Sequence, residues 1–404
     1  MSFIQNHPLF LTAQKICQAL TRHGHLAYFA GGCVRDSLIG REAHDIDIAT
    51  SATPEQVIQI FPKTVPVGKA FGVMMVIEDS ISFEVATFRN DGQYLDGRRP
   101  EQVTYSSPEE DAKRRDFTMN ALFFDPSSNQ ILDYVGGQED IKKCLIQAVG
   151  DPEKRFQEDH LRILRAIRFS AQLNFNIESE TMTHVKSLGR LVSTVSIERI
   201  QQELEKMLLG EFFREKMSLL LESQILNHIF PEAKWDEKLW PKTIQDQSLI
   251  EFKKDLVWIQ FWTWYALCAK KSHIEVCKKI EQMRFSSAQK KCITQALSWI
   301  LSAKDYQQKS IGELVLLGFD IGNRIGISIS LTEAGSGWVQ LEKAQATLKK
   351  LNFQKPEAFV RAQDLSGLSG ETLGAALKKL YLLQLEDVVK TKTEALEFYR
   401  TTLK

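Results

Sequence analysis

Residues 31–50 read GGCVRDSLIGREAHDIDIAT. An apolar run at 26–30 leads into Gly31 and Gly32; Arg35 and Asp36 follow, then Leu38 and Ile39, then Asp45-Ile46-Asp47. Residues two apart on a strand point to the same face. A strand through this stretch therefore sets Asp45 and Asp47 on one side, with Ile46 and Ile48 toward the core. Neighbouring carboxylates repel, and a cation between them relieves the cost. Carboxylates together with phosphate and water suit Mg²⁺. Paired glycines let a backbone approach phosphates closely at a strand-to-helix turn. The stretch fits metal-assisted nucleotide chemistry; an exposed acidic loop after an ordinary turn is the alternative.

Working outward, residues 8–20 are spaced as an amphipathic helix, and 35–38 as a short one. Thr53-Pro54-Glu55 is a helix start, with Thr as N-cap and Pro in the first position. Residues 71–77 and 81–88 pair as a hairpin turning at 78–80. Alternation along 81–88 puts Glu84, Ala86 and Phe88 on one face. Glu84 is then either a third carboxylate beside the first two or an ion-pair partner of Arg89. A polar stretch follows to about residue 107, longer than an idle loop usually runs. Residues 109–115 are helical, and 119–124 pairs with 130–135. From residue 151 onward helical periodicity dominates. The fold class is α+β: a mixed-sheet head followed by a long all-α arm.

Two further stretches carry chemistry. Arg114 and Arg115, at a helix-to-strand junction, could grip a triphosphate through bidentate hydrogen bonds; a charge pattern favoured by the helix dipole is the alternative. In residues 158–169, EDHLRILRAIRF, a helix aligns Asp159, Arg162, Arg165 and Arg168 on one face. Leu161, Leu164 and Ile167 then face the core. An Asp acceptor beside an Arg donor matches the edge of a base, and further arginines can hold phosphates. A salt-bridged surface helix is the alternative, although such a helix normally carries lysines and mixed acids rather than three arginines in register.

Composition sets outer bounds. With 404 residues, the length favours two or more domains, and 43% hydrophobic with 25% charged residues supports a sizeable core. The net charge is zero, yet residues 1–250 sum to −7 and 251–404 to +7. The basic half is either a nucleic-acid footprint or a set of solvated helix faces. Six scattered cysteines without zinc spacing point to free thiols in a reducing, cytoplasmic setting. MSFIQNHPLF lacks the layout of a signal peptide. Residues 256–268 are too short to span a bilayer and read as a buried aromatic helix.

Taken together, GGCVRDSLIG…HDIDIAT, FEVATFRNDGQYLDGRRP, EEDAKRRDFTMNAL, DYVGG, EDHLRILRAIRF and SIERIQQELEKML resemble the bacterial class II tRNA nucleotidyltransferase and poly(A) polymerase family of the DNA polymerase β superfamily. The likeness runs over residues 26–210; beyond about 220 only the helical character is shared. It implies that Asp45 and Asp47 hold two Mg²⁺ ions, and that Gly32 and Arg35 contact nucleotide phosphates. Arg114 or Arg115, Asp159, Arg162, Arg165 and Arg168 match nucleotide-binding positions, with Asp159 and Arg162 reading the base of CTP or ATP. His160 turns off that face and is left out.

Members that add only CC lack much of the loop that 89–100 forms here, so the loop favours addition of the terminal A. The same loop is expected to act as a lever between the C and A steps, pivoting on Gly92 and Gly97. Poly(A) polymerases of the family carry a basic pair where this chain has Lys69-Ala70. The resemblance thus implies a template-independent enzyme completing the CCA end of tRNA from CTP and ATP, with no membrane and no obligate protein partner. A poly(A) or A-adding polymerase, or a non-catalytic RNA-binding protein, are the alternatives. The expected division is a catalytic head at 1–150, a base-reading neck at 151–215, a helical body at 216–300 and a tRNA-binding tail at 301–404.

Overall fold

The computed structural model describes residues 2–92, 97, 103–241, 252–301, 309–320, 322–323 and 339–403. The chain divides into two compact units, Met1–Phe230 and Pro231–Lys404. The first holds a seven-stranded mixed sheet in the order β3-β4-β5-β2-β1-β8-β9. Its strands are β1 (Ala27–Ala30), β2 (Asp47–Thr50), β3 (Thr64–Gly68), β4 (Val73–Glu78), β5 (Ile81–Thr87), β8 (Leu122–Asp125) and β9 (Gln130–Asp133). Only β2 and β5 run parallel; every other neighbouring pair is antiparallel. A separate ribbon, β6 (Arg89–Asp91) with β7 (Val103–Tyr105), forms the base of the polar loop. Loop residues 93–96 and 98–102, where most of the expected lever lies, fall outside the described residues.

Local chemistry explains most boundaries. The helix α4 (Pro54–Ile60) starts as expected: Thr53 and Gln56 form a reciprocal capping box, with Pro at the first position. The β4–β5 hairpin turns through Asp79 and Ser80, both at positive φ, in the tight geometry that matches strand twist. Strand β3 has no counterpart in the sequence reading, because Val65-Pro66-Val67 lies on the sheet edge and Val65 and Val67 stay exposed. The helices α1 (Ser2–Gln5) and α2 (Phe10–Arg22) precede β1, and α3 (Gly32–Leu38) follows it.

After α5 (Pro108–Lys113) and α6 (Gly137–Lys142), the same unit continues through α7 (Pro152–Glu158), α8 (Leu161–Leu173), α9 (Ser179–Leu188), α10 (Ile197–Leu208), α11 (Phe213–Glu222) and α12 (Ile225–Ile229). A two-residue parallel pair, β10 (Leu145–Ile146) with β11 (Asn176–Ile177), ties α8's far end back to the head. The face of α8 carrying Leu161, Leu164 and Ile167 is buried. Among its described residues, Pro231–Lys404 contains helices joined by irregular segments and no strand. Its most apolar helix, α13 (Lys253–Ala269), buries Trp258, Trp262 and Trp264. No helix of the described residues is long and apolar enough to cross a membrane.

Candidate active site

The site grows from the middle of the sheet. Strand β2 lies between β1 and β5 with Ala30 opposite Asp47 and Ile48 opposite Val85. Alternation buries Ile46 and Ile48 at 2% and 1% exposure and turns Asp47 outward. Asp45 lies two residues before the strand rather than within it, also exposed. Next to them β1 ends in Gly31, at φ +72°, which caps α3. Gly31's backbone angle calls for glycine, and a Cβ there would also crowd the Arg115 guanidinium at 3.0 Å.

These elements floor an open cleft of about 550 Å³, lined among others by Gly31, Gly32, Arg35, Asp47, Glu84, Arg114, Arg115, Asp159, Arg162, Arg165 and Arg199. Asp47 is exposed and lines this cleft. Burial among protein atoms, then the negative charges of Glu84 and Asp45, push its carboxyl up to about 7, against the pull of Arg115. Burial and Asp45 likewise raise Glu84, with Arg89 opposing. A cation is the group that would relieve this repulsion, and two hard oxygen donors suit a divalent one. Among the described residues no three His, Cys, Asp or Glu side chains form a common metal-binding set. Glu84 lines the same cleft as Asp47, and its charge acts on the Asp47 carboxyl. Arg89 makes its own ion pair with Asp91, at 3.0 Å.

One wall is built on two buried aspartates. Asp111, 1% exposed, accepts from Arg114 at 2.6 Å and from Arg115 at 3.1 Å. Burial opposes its ionisation, but the two guanidiniums hold its carboxyl below the usual range. Arg115 also donates to the Asn120 carbonyl at 3.1 Å and lies over the Phe123 ring. Asp116 accepts from Arg165 Nε at 2.9 Å and Asn120 Nδ2 at 3.1 Å. Asn120 Oδ1 in turn accepts from Arg35. Despite burial, Arg165 above all keeps Asp116 far below the ordinary carboxylate range.

The opposite wall corrects the sequence reading. Asp159 is not on a continuous helix with the arginines: α7 ends at Glu158, and Asp159 is extended at φ −137°. Its carboxylate caps the next helix by accepting from the Leu161 amide at 3.1 Å, which gives the break a physical reason. The other oxygen accepts from Arg199 of α10 at 2.9 Å. Arg162, 8% exposed, donates to Glu158 at 2.7 Å and to the Arg114 carbonyl at 3.1 Å. Asp159, Arg162 and Arg165 reach the cleft; Arg168 does not line it. Arg168 pairs instead with buried Glu203 and stacks on Phe169, 3.7 Å from the ring centre. Burial brings its guanidinium down to about 10, with Glu203 opposing.

The sequence reading passed over Asp111, Asp116, Asn120 and Arg199; His160, which it left out, does not line the cleft. Asp111 was detectable, three and four residues before the two arginines. Arg199 was not, since its partner is 40 residues away. The His160 amide donates to the Gly97 carbonyl at 3.1 Å, and a Cβ on Gly97 would strike the His160 ring at 2.3 Å.

Comparison with known proteins places this arrangement. The family model of the poly A polymerase head domain matches residues 27–147. A second, described as "Probable RNA and SrmB- binding site of polymerase A", matches 174–236. The CCA-adding enzyme of Bacillus cytotoxicus is 40% identical over 395 residues, 95% of either chain. The chain belongs to the CCA-adding enzyme family. Two further curated CCA-adding enzymes match over part of their length. That of Anoxybacillus flavithermus is 46% identical over 62% of this chain and 63% of its own. That of Geobacillus thermodenitrificans is 48% identical over 55% of each. The chain thus aligns with little more than half the length of these two relatives. Among solved structures, the Bacillus stearothermophilus CCA-adding enzyme in complex with CTP has a TM-score of 0.75 at 28% identity, covering 98% of both chains. The Thermotoga maritima CCA-adding enzyme complexed with tRNA reaches 0.72 at 20% identity, covering 100% of this chain and 98% of that one, a likeness of fold.

Proposed function

We propose that the chain adds CCA to the 3′ end of tRNA from CTP and ATP, releasing pyrophosphate without a nucleic-acid template. The observation that carries this reading is Asp47: its carboxyl is raised to about 7 beside two further acids, in a cleft walled by arginines. Relatives named CCA-adding enzymes, one matched along 95% of its length, supply the reaction. Asp45 and Asp47 would hold divalent ions, Mg²⁺ by the hardness of their donors. Bound there, the ions would lower the pKa of the RNA 3′-hydroxyl and neutralise the departing pyrophosphate.

The remaining work falls to positioning and fixed charge. The Gly31-Gly32 turn gives the triphosphate close backbone approach, while Arg35, Arg114, Arg115 and Arg165 offset its charge. Arg168, paired with Glu203, supports the helix rather than the nucleotide. Asp159 and Arg162 select the base. Cytosine and adenine both present an amino donor beside a ring-nitrogen acceptor, which an Asp acceptor and an Arg donor complement. Uracil and guanine present the reverse order and would set like against like.

In this reading 151–215 acts as base-reading neck and 216–300 and 301–404 as body and tail carrying the RNA. The loop at 89–100 acts between the C and A steps, a role the Gly97–His160 contact beside Asp159 supports. The site of action is the cytoplasm. The test is incubation of three tRNA transcripts, lacking CCA, ending in CC and complete, with CTP and ATP separately and together. Completion of the first and second, with no extension of the third, is expected. Extension by A alone would mark an A-adding enzyme, and long A tails a poly(A) polymerase. No incorporation would leave an RNA-binding protein.

A further inference from the structure

Asp47 is fixed by the sheet, since its backbone pairs with Ala30. Asp45 has no such support. It lies outside β2, its side chain is exposed, and among the described residues its carboxylate has no hydrogen-bond or ion-pair partner. Its position is therefore set by the backbone of residues 40–46, the irregular link between α3 and β2.

That link is held at three points. The Arg41 amide donates to the Asp36 carbonyl at 2.8 Å, and its guanidinium donates to the Gln172 carbonyl at 2.6 Å, at the end of α8. Ile46 is anchored by burial. Between them, the Ala43 carbonyl is 2.9 Å from His7 Nε2. The Leu9 amide donates to His7 Nδ1 at 3.1 Å. Nδ1 is thus the acceptor, so in the neutral ring Nε2 carries the proton and donates to Ala43. His7 is itself fixed from behind: Ile4 is buried, and its amide donates to Ser37 Oγ of α3 at 3.1 Å.

We propose that His7 is a positioning residue for the Asp45 carboxylate, acting through the Ala43 carbonyl. The N-terminal segment is on this account a brace for the active-site floor rather than a mere cover for the sheet. Arg41 and Ile46 fix the ends of the link, and the His7 hydrogen bond removes the freedom left between them, two residues from Asp45. The inference rests on the reading of Asp45 as a metal ligand.

The experiment compares His7→Ala, His7→Gln and His7→Asn with Asp45→Ala in the full-length protein. Binding of Mn²⁺ alone is followed by the electron paramagnetic resonance of the free ion. Steady-state CTP incorporation and melting temperature are measured alongside. Gln can place a donor where Nε2 stands, keeping the bond to Ala43; Asn can keep only the local acceptor for Leu9. His7→Ala is expected to weaken Mn²⁺ binding about 10-fold, the size typical of a lost outer-shell support. It should lower kcat while leaving KM for CTP unchanged, and Gln should recover most of both losses where Asn does not. Unchanged Mn²⁺ affinity in His7→Ala, or recovery by Asn equal to that by Gln, overturns the proposal. If Ala unfolds the chain, the Gln and Asn pair carries the same comparison. Intact Mn²⁺ binding in Asp45→Ala would instead overturn the reading of Asp45 itself.

Discussion

At Asp47 the fold keeps a carboxylate where its charge is poorly tolerated. An ordinary Asp titrates near 3.9, whereas this one is raised to about 7 by burial, Glu84 and Asp45. Native protein without divalent ion therefore holds a proton that the unfolded chain releases between about pH 4 and 7. The stability this supplies is complete below that window and lost as pH rises through it. Asp47→Asn is expected to abolish nucleotide incorporation and yet raise the melting temperature at pH 8 in chelator. Discounted for a carboxylate open to solvent, the gain is about 1 kcal/mol, or about 2–4 °C. Added Mg²⁺ should stabilise the parent chain and not the variant. A variant that melts lower at pH 8, or still incorporates CTP, would contradict the assignment. Asp159 gives the complementary case. Asp159→Ala removes an edge acceptor and leaves the phosphate contacts, so admission of UTP and GTP should rise by about 1–3 kcal/mol of lost discrimination. Competition between the four nucleotides measures this; a uniform fall in rate with selectivity intact would remove Asp159 from base reading.

Between elements, the decisive contact is Asp116 with Arg165, joining the segment after α5 to α8. Because Asp116 is buried and held far below its ordinary value by Arg165, its contribution to stability is complete above about pH 4 and lost as pH falls below. Asp116→Ala leaves Arg165 without this counter-ion and should cost about 3–5 kcal/mol in urea unfolding, flattening the acid limb of the stability curve. This junction also shows what sequence could convey. The Asp45-Ile46-Asp47 alternation, the Thr53-Pro54 start and the buried row of Leu161, Leu164 and Ile167 were legible because each is a local pattern with a single physical cause. The break at Asp159 was not: arginines at steps of three extend a helical row on paper, but the carboxylate caps α8 and pairs with Arg199 on another helix. The place of Arg168 was hidden for the same reason, since its partner Glu203 belongs to α10. Strand β3 escaped because an exposed edge strand containing Pro66 has no buried face to mark it.

For the molecule as a whole, zero net charge conceals an acidic first part and a basic remainder, +7 over residues 251–404. Two explanations of the basic remainder stand open, a phosphate-binding surface and solvated helix faces, and ionic strength separates them. Each phosphate neutralised by Lys or Arg releases counterions and contributes a slope of about −0.7 to −0.9 in log affinity against log salt. Three or four such contacts would raise the KM for tRNA about 20- to 150-fold between 50 and 200 mM KCl, at saturating CTP. Solvated faces would leave KM almost flat, because their charges meet water at every salt concentration. Lys378 and Lys379, both exposed on the helix Gly370–Leu385, allow a sharper version. If they meet the RNA, replacing both by Glu should lower tRNA affinity at 50 mM salt and make the slope shallower by about 1.5–2. The KM for CTP should stay the same, because the cleft that would hold it is lined entirely by residues 30–199. A parent slope shallower than about −1 would assign the basic charges to solvent and send the search for the RNA surface back to Met1–Phe230.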